Sequence, residues 1–179
     1  MQPAFKYMTT VKGFIGILAL TLVLGIGAFS QTVLTSLGGG SVNLDAQHGK
    51  VVVLAVGASW LPLSARQVDI TNTLAKKYQG KDIVFYFVAT DSTRPGKNFA
   101  SDEDIRKFAS TNKIAIASVL RDSDGATTFH KYSIDQVPSF VVIGKDGKLV
   151  GEPFGGLDSA PNSKYDITVP ISRAIDKAL

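Results

Sequence analysis

Few residues of the types that usually carry catalysis occur in this chain. Its 179 residues include no cysteine, so disulfides, zinc–thiolate sites, iron–sulfur ligation and cysteine nucleophiles are excluded. The two histidines, His48 and His130, are far apart, and without cysteine or a nearby methionine they predict no metal centre. Ser64 would need an adjacent general base to act as a nucleophile, and the preceding histidine lies upstream of the strand that leads to it. We therefore predict no catalytic residue, no metal and no cofactor.

Two polar segments contain residues that could hold a ligand. Asp122-Ser123-Asp124-Gly125 begins as a calcium loop does, but the third oxygen ligand and the terminal glutamate are missing, so a turn is favoured. Residues 91–98 follow an apolar strand, where many α/β proteins bind ligands, but they lack the glycine pattern of a nucleotide site. A solvated loop is the simpler interpretation.

The composition is that of a folded domain. Apolar residues make up 45% of the chain and charged residues 19%, which excludes a largely disordered chain and a polytopic membrane protein. The net charge is +4, and once Lys6 and Lys12 are set aside the remainder is close to charge balance. Since nucleic-acid binders usually carry a basic stripe, we predict no nucleic-acid partner.

An uncharged apolar segment at residues 13–29 follows Lys6 and Lys12, as in a signal sequence or signal anchor. As a helix it would be roughly 26 Å long, slightly short of a hydrocarbon core of ~30 Å but longer than the apolar region of most signal peptides. Both a retained transmembrane anchor and a signal peptide cleaved after Ala28-Phe29-Ser30 fit this pattern, and the length and interior glycines favour the anchor. Residues 1–12 are then the basic cytoplasmic region.

The orientation of that segment predicts where the domain lies. The positive-inside rule places the chain after residue 29 across a bacterial-type membrane, in the periplasm or the thylakoid lumen. The membrane, crossed once, is thus the first predicted partner. Residues 30–46 contain Gly38-Gly39-Gly40-Ser41 and predict a flexible linker. The domain itself is predicted at residues 47–179.

Within that domain, apolar strand-like segments alternate with helix-like segments, which predicts an α/β structure. Residues 51–56 are continuously apolar, as expected of a central strand buried on both faces. Ser101 is suited to cap a helix, and Pro170 is acceptable in the first turn of the last helix. Further strands are predicted at 83–89, 114–120 and 139–143, the last in a hairpin with 148–151, and helices at 64–78, 101–111, 127–132 and 168–179.

Three motifs in this order give the chain a family resemblance. They are Ala58-Ser59-Trp60 between a strand and a helix, Val137-Pro138 before a hairpin, and Lys145-Asp146-Gly147-Lys148 in the hairpin turn. Together they resemble the thioredoxin superfamily, and in particular the TlpA-like membrane-anchored thiol–disulfide oxidoreductases. The resemblance covers about residues 47–179 and implies a thioredoxin-like fold, a central mixed sheet flanked by helices, with a cis-proline at Pro138.

The chain departs from that family at the positions that do the chemistry. Leu61 and Ser64 stand where the family has its two cysteines, and Gln67 stands where it often has a glutamate. In such enzymes the first thiolate, stabilised by the helix dipole, attacks a substrate disulfide and the second thiol resolves the mixed disulfide. A leucine can do neither, so we predict that the chain is not an enzyme.

What remains of the family's site could still bind a protein. The resemblance implies that an extended peptide pairs with the backbone of the residue before the cis-proline. An apolar face around it is a plausible docking surface. The predicted binding residues are Trp60, Leu61, Pro62, Leu63, Ser64, Val137 and Pro138. Three alternatives stay open: the leucines only pack against a neighbouring loop, the chain is an accessory to thiol–disulfide or peroxide chemistry supplied by another protein, or it is a structural subunit of a membrane complex.

Overall fold

The computed structural model describes residues 31–157 and 165–179. The apolar segment predicted at residues 13–29 and the basic region before it lie outside these residues. In the part of the chain that is described, no helix is both long and apolar enough to cross a membrane. The strands are β1 (Val33–Ser36), β2 (Ser41–Asn43), β3 (Val51–Gly57), β4 (Ile83–Ala89), β5 (Ser118–Arg121) and β6 (Ser139–Ile143). The helices are α1 (Pro62–Lys77), α2 (Asp102–Thr111), α3 (Thr128–Tyr132) and α4 (Thr168–Ala178).

The six strands form one mixed sheet, as predicted. Their order is β2-β1-β5-β4-β3-β6. Strands β3, β4 and β5 are parallel, whereas β1 runs antiparallel to β5 and β6 antiparallel to β3. All seven residues of β3 are buried, which confirms the prediction that this continuously apolar segment lies inside the sheet.

Each face of the sheet packs into its own hydrophobic cluster. Because side chains alternate along a strand, β3 contributes Val51, Val53 and Ala55 to one cluster and Val52, Leu54 and Val56 to the other. Apolar residues of α1, α2 and α4 complete the first cluster. The second is closed by Leu44 and by residues in and after α3. This layering, helices over both faces of a sheet, is the predicted α/β architecture.

The predicted flexible linker over residues 30–46 is wrong for residues 31–46, which belong to the folded domain. Strand β1 pairs with both β2 and β5, and its residues alternate between exposed and buried. The glycines that suggested a flexible segment instead make the turn between β1 and β2, with Gly39 at φ 107° and Gly40 at φ 73°. Positive φ values of this kind favour glycine, so the same glycine run serves a tight turn.

Two other elements are shorter than predicted. The strand expected at 114–120 is reduced to β5, because the side chain of Asn72 in α1 binds the preceding segment. Its Nδ2 donates to the Lys113 carbonyl at 3.0 Å and its Oδ1 accepts from the Ala115 amide at 3.0 Å. The expected second hairpin arm at 148–151 does not form a strand. It meets β6 at an isolated bridge between Ile143 and Leu149 and through the Val150 amide, which donates to the Val142 carbonyl at 2.9 Å.

A substitution at a buried residue of β1 should destabilise the domain if β1 is a strand of the sheet, and should have little effect if it is a linker. Leu34 is 3% exposed and Val33 is 47% exposed. We expect Leu34→Ala to lower the free energy of unfolding by about 2–4 kcal/mol, because it leaves a cavity in the second hydrophobic cluster, to which Leu34 belongs. Val33→Ala, the matched control, should change it by less than about 0.5 kcal/mol. Urea unfolding followed by circular dichroism measures both, and equal values for the two variants would contradict this role of β1.

Candidate functional site

The motif between β3 and α1 forms a tight turn into the helix. Leu61 is the N-cap residue, with extended backbone angles and no side-chain capping hydrogen bond, and Pro62 occupies the first helical turn. The Leu61 amide donates to the Ala58 carbonyl at 3.1 Å, and the Ser64 amide donates to the Leu61 carbonyl at 3.0 Å. The position that holds the nucleophile in the family is therefore at the start of α1, as the resemblance implies, but its side chain is a hydrocarbon.

A buried carboxylate holds this turn in place. Asp91, which directly follows the residue after β4, is buried. It accepts hydrogen bonds from the Ser59 amide, at 2.9 and 3.1 Å, and from the Ser59 hydroxyl at 2.6 Å. In the sequence, Asp91 is recognisable only as part of a polar loop. Since Ser59 and Asp91 follow adjacent parallel strands at their carboxyl ends, that topology was the signal that could have revealed the contact.

The structure brings the two halves of the predicted site to one edge of the sheet. Val56 in β3 pairs with Ser139 in β6, so the turn after β3 lies beside the residues that precede β6. The Val137–Pro138 peptide bond is cis, which confirms what the resemblance implied. Trp60 and Pro62 are exposed, Leu61, Leu63 and Val137 are half-buried, and Ser64 and Pro138 are buried. Ser64 therefore does not contribute to an exposed face and lies beneath it.

Val137 presents an unpaired backbone at this edge. Neither its N–H nor its carbonyl is hydrogen-bonded to any part of the chain that the structure describes. An extended peptide can pair with such an open backbone as an added strand. The half-buried Leu61 and exposed Pro62 offer apolar surface for the side chains of that peptide.

Below the turn, the side-chain amide of Gln67 joins two strands. Its Nε2 donates to the Val56 carbonyl at 3.2 Å and to the Ser139 carbonyl at 2.7 Å. Its Oε1 lies against Gly57, where an added Cβ would stand only 2.4 Å away. The glutamine therefore has a structural role of its own. The two N–H groups of its amide donate to two strand carbonyls that an ionised carboxylate at this position would repel.

A separate groove of about 1240 Å³ lies near the start of β1 and includes both histidines. Asp45 and Lys131 form an ion pair in it. Burial would raise the pKa of Asp45, but hydrogen bonds from Lys131 and Thr32 outweigh that effect and hold this pKa below its usual value. Among the described residues, no group of three or more histidines or acids is placed to hold a metal ion.

The sheet order, the cis-proline and the strand–turn–helix define a thioredoxin-like protein, and solved structures share this fold. A putative thiol:disulfide interchange protein DsbE from Chlorobium tepidum has a TM-score of 0.65 and 22% identity, over 83% of this chain and 92% of that one. An exposed lipoprotein thioredoxin from Streptococcus pneumoniae has a TM-score of 0.64 and 23% identity, over 83% and 99%. A thioredoxin-like protein from Aeropyrum pernix has a TM-score of 0.64 and 18% identity, over 82% and 89%.

The family follows from the sequence match. The family model described as Redoxin matches residues 7–166, and the chain belongs to this family. A curated relative, the thiol-disulfide oxidoreductase ResA of Bacillus cereus, is 27% identical over 124 residues, 69% of this chain and 65% of the relative. The match thus spans less than two thirds of that relative's length. The resemblance to TlpA-like proteins is confirmed, in a chain that carries no cysteine.

The Gln67 contacts predict how the family's glutamate would behave here. We expect Gln67→Glu to lower the free energy of unfolding by about 3 kcal/mol at pH 8, because a buried carboxylate would face two carbonyls. The loss should be smaller at pH 4, since a protonated acid can donate to one of them. Such a carboxyl titrates higher in the folded than in the unfolded chain, so the penalty grows as the pH rises above about 4.3.

Denaturant unfolding at both pH values measures this difference. Gln67→Met, which removes the same two donors without adding a charge, is the control and should cost the same at pH 4 and pH 8. An equal loss for Gln67→Glu at the two pH values would show that no carboxylate is forced against the strand carbonyls.

Proposed function

We propose that this chain is a redox-inactive thioredoxin-like module that is tethered to a membrane and binds a protein at the former active-site face. That face comprises Trp60, Leu61, Pro62, Leu63, Val137 and Pro138. The observation that carries the proposal is a Val137 backbone with no hydrogen-bond partner among the described residues, near an exposed tryptophan, in a chain without cysteine. The binding geometry of the fold is kept while its redox groups are absent.

The chemistry of the substituted positions supports the absence of catalysis. Thiol–disulfide exchange needs a thiolate that attacks one sulfur and a second thiol that displaces the first. Leu61 has no lone pair to donate, and Ser64 is buried with no histidine next to it in the sequence. Peroxidase catalysis by a single cysteine is also impossible, because the chain contains no cysteine.

The sequence supports the tether and its direction. Residues 13–29 carry no charge and follow two lysines, and the positive-inside rule places the domain in the periplasm or the thylakoid lumen. In this arrangement the partner is an extracytoplasmic segment of a membrane protein or of a secreted protein. Its backbone pairs with Val137 and its apolar side chains lie on Leu61 and Pro62.

Capture of the partner tests the binding face. The full chain, tagged at its C-terminus, is purified in mild detergent from its native membranes, and the copurifying proteins and its intact mass are measured. We expect the double variant Leu61→Asp with Pro62→Asp to lose at least about 90% of a stoichiometric partner, because two charges would be buried without partners. Leu149→Asp is the matched control, since Leu149 is an exposed leucine at the opposite end of β6.

An unchanged partner in the double variant would contradict the binding face. A partner that carries a reactive cysteine and no longer copurifies with the double variant would instead favour the second candidate function, an accessory to thiol–disulfide or peroxide chemistry. The names of the curated relative and of the DsbE-like structure, both given to thiol–disulfide proteins, are the observation in favour of that candidate. The intact mass distinguishes a retained anchor from a cleaved signal peptide.

Restoring the two thiols tests whether the redox function was lost only at Leu61 and Ser64. We expect no insulin reduction by the unaltered chain and measurable reduction by the double variant Leu61→Cys with Ser64→Cys. The single variant Leu61→Cys should have a thiol pKa below about 8.5, because the thiolate would lie at the N-terminus of α1. Thiol titration and turnover measure both, and activity in the unaltered chain would refute redox inactivity.

A further inference from the structure

We propose that the edge of the sheet that carries the former active site rests on the headgroup region of the bilayer to which the chain is tethered. The contact is made by a row of three exposed apolar side chains, Val33, Phe99 and Trp60, which we call the apolar row. The inference rests on the membrane tether of the proposed function and assigns Trp60 to the bilayer, so that the protein partner contacts Val137, Leu61 and Pro62.

Strand directions place the apolar row at one edge. The parallel strands β3 and β4 end at Gly57 and Ala89, and the segments that follow them carry Trp60 and Phe99. Strand β5 ends at Arg121, which pairs with Thr35 of the antiparallel β1. Val33 precedes Thr35 by two residues, so it lies beyond the end of β5 at the same edge, where it pairs with Asn43 of β2.

The members of the apolar row are exposed and spread along that edge. Val33 is 47% exposed, Phe99 44% and Trp60 45%. Since β1 and β3 are three strand spacings apart in the sheet order, the row extends over about 14 Å. The loop that carries Phe99 is anchored near β5, because the Arg121 guanidinium donates to the Ala100 carbonyl at 2.8 Å. This hydrogen bond holds the segment that carries Phe99 beside the end of β5.

The short connection to the apolar segment fixes which edge meets the membrane. Thr32 is buried, and its amide donates to Asp45 Oδ2 at 2.6 Å, so the domain begins by residue 32. The apolar segment ends at Phe29, and three residues span at most roughly 10 Å. The headgroup layer is roughly 5–7 Å thick on each side of the hydrocarbon. A domain held this closely at the start of β1 must keep the edge that carries Val33 near that layer.

The chemistry of the row suits lipid headgroups. Tryptophan is enriched at membrane interfaces, where its apolar ring and its N–H group are both accommodated. The charges at this edge are mixed and do not single out an anionic surface: Asp102, Glu103 and Asp104 begin α2 beside it, Arg94 is paired with Asp124, and Lys97 is exposed two residues before Phe99. Apolar burial therefore drives the contact, and a zwitterionic bilayer is sufficient for it.

The only tryptophan of the chain, Trp60, lies in the row and reports the contact directly. The full chain is reconstituted in phosphatidylcholine vesicles, and Trp60 fluorescence is compared with and without phosphatidylcholine that carries a quenching label near the top of the acyl chain. We expect strong quenching in the unaltered chain. The double variant Val33→Asp with Phe99→Asp should shift the docked population by about tenfold toward the free state, whereas Leu149→Asp, at the opposite edge, should leave quenching unchanged.

The outcomes separate this inference from the proposed function. Release of the full chain from the vesicles by an alkaline wash would overturn both the tether and the docking. Retention without quenching of Trp60, or quenching that the double variant leaves unchanged, would overturn the docking alone. Trp60 that is shielded from aqueous iodide by a copurified protein but is not quenched by labelled lipid would assign the edge to a protein and overturn the lipid contact.

Discussion

The direction of β3 within the sheet is the constraint on which the site depends. β3 has a parallel neighbour, β4, on one side and an antiparallel neighbour, β6, on the other. Its carboxyl end therefore meets the carboxyl end of β4 and the beginning of β6. The burial of all seven β3 residues fixes its register, because a slip of one residue would exchange its two faces. Asp91, Val137 and the turn at Trp60 therefore lie at the same edge of the sheet.

The scaffold around the lost thiols does not depend on them for its stability. Ser59 is held by Asp91, and β3 is joined to β6 by the amide of Gln67 as well as by the sheet ladder. These contacts involve no atom of Leu61. The turn and the sheet edge around it therefore keep their geometry in a chain without cysteine, and the proposed binding function requires no thiol.

The sequence predicted those elements whose pattern has a single physical interpretation. The apolar run of β3, the capping residue Ser101 of α2 and the amphipathic α4 gave correct elements because burial and capping are local properties. The β1–β2 hairpin was missed because a glycine run is equally suited to a linker and to a turn with positive φ. The Asn72 contact with Lys113 and the Asp91 contact with Ser59 join residues that are distant in the chain, so no local pattern could reveal them. The cis-proline came from the resemblance alone.

The incorporation of residues 31–46 into the sheet also limits how the domain meets other molecules. A long flexible linker would let a tethered domain reach a large volume and would lower its effective concentration in that volume. With β1 beginning directly after Thr32, a tethered domain instead encounters partners by lateral diffusion in the plane of its bilayer. For such a tethered domain the effective concentration is high for molecules that share its membrane and low for those free in the surrounding compartment. Under the proposed tether, the β1–β2 hairpin would therefore limit which molecules the domain meets.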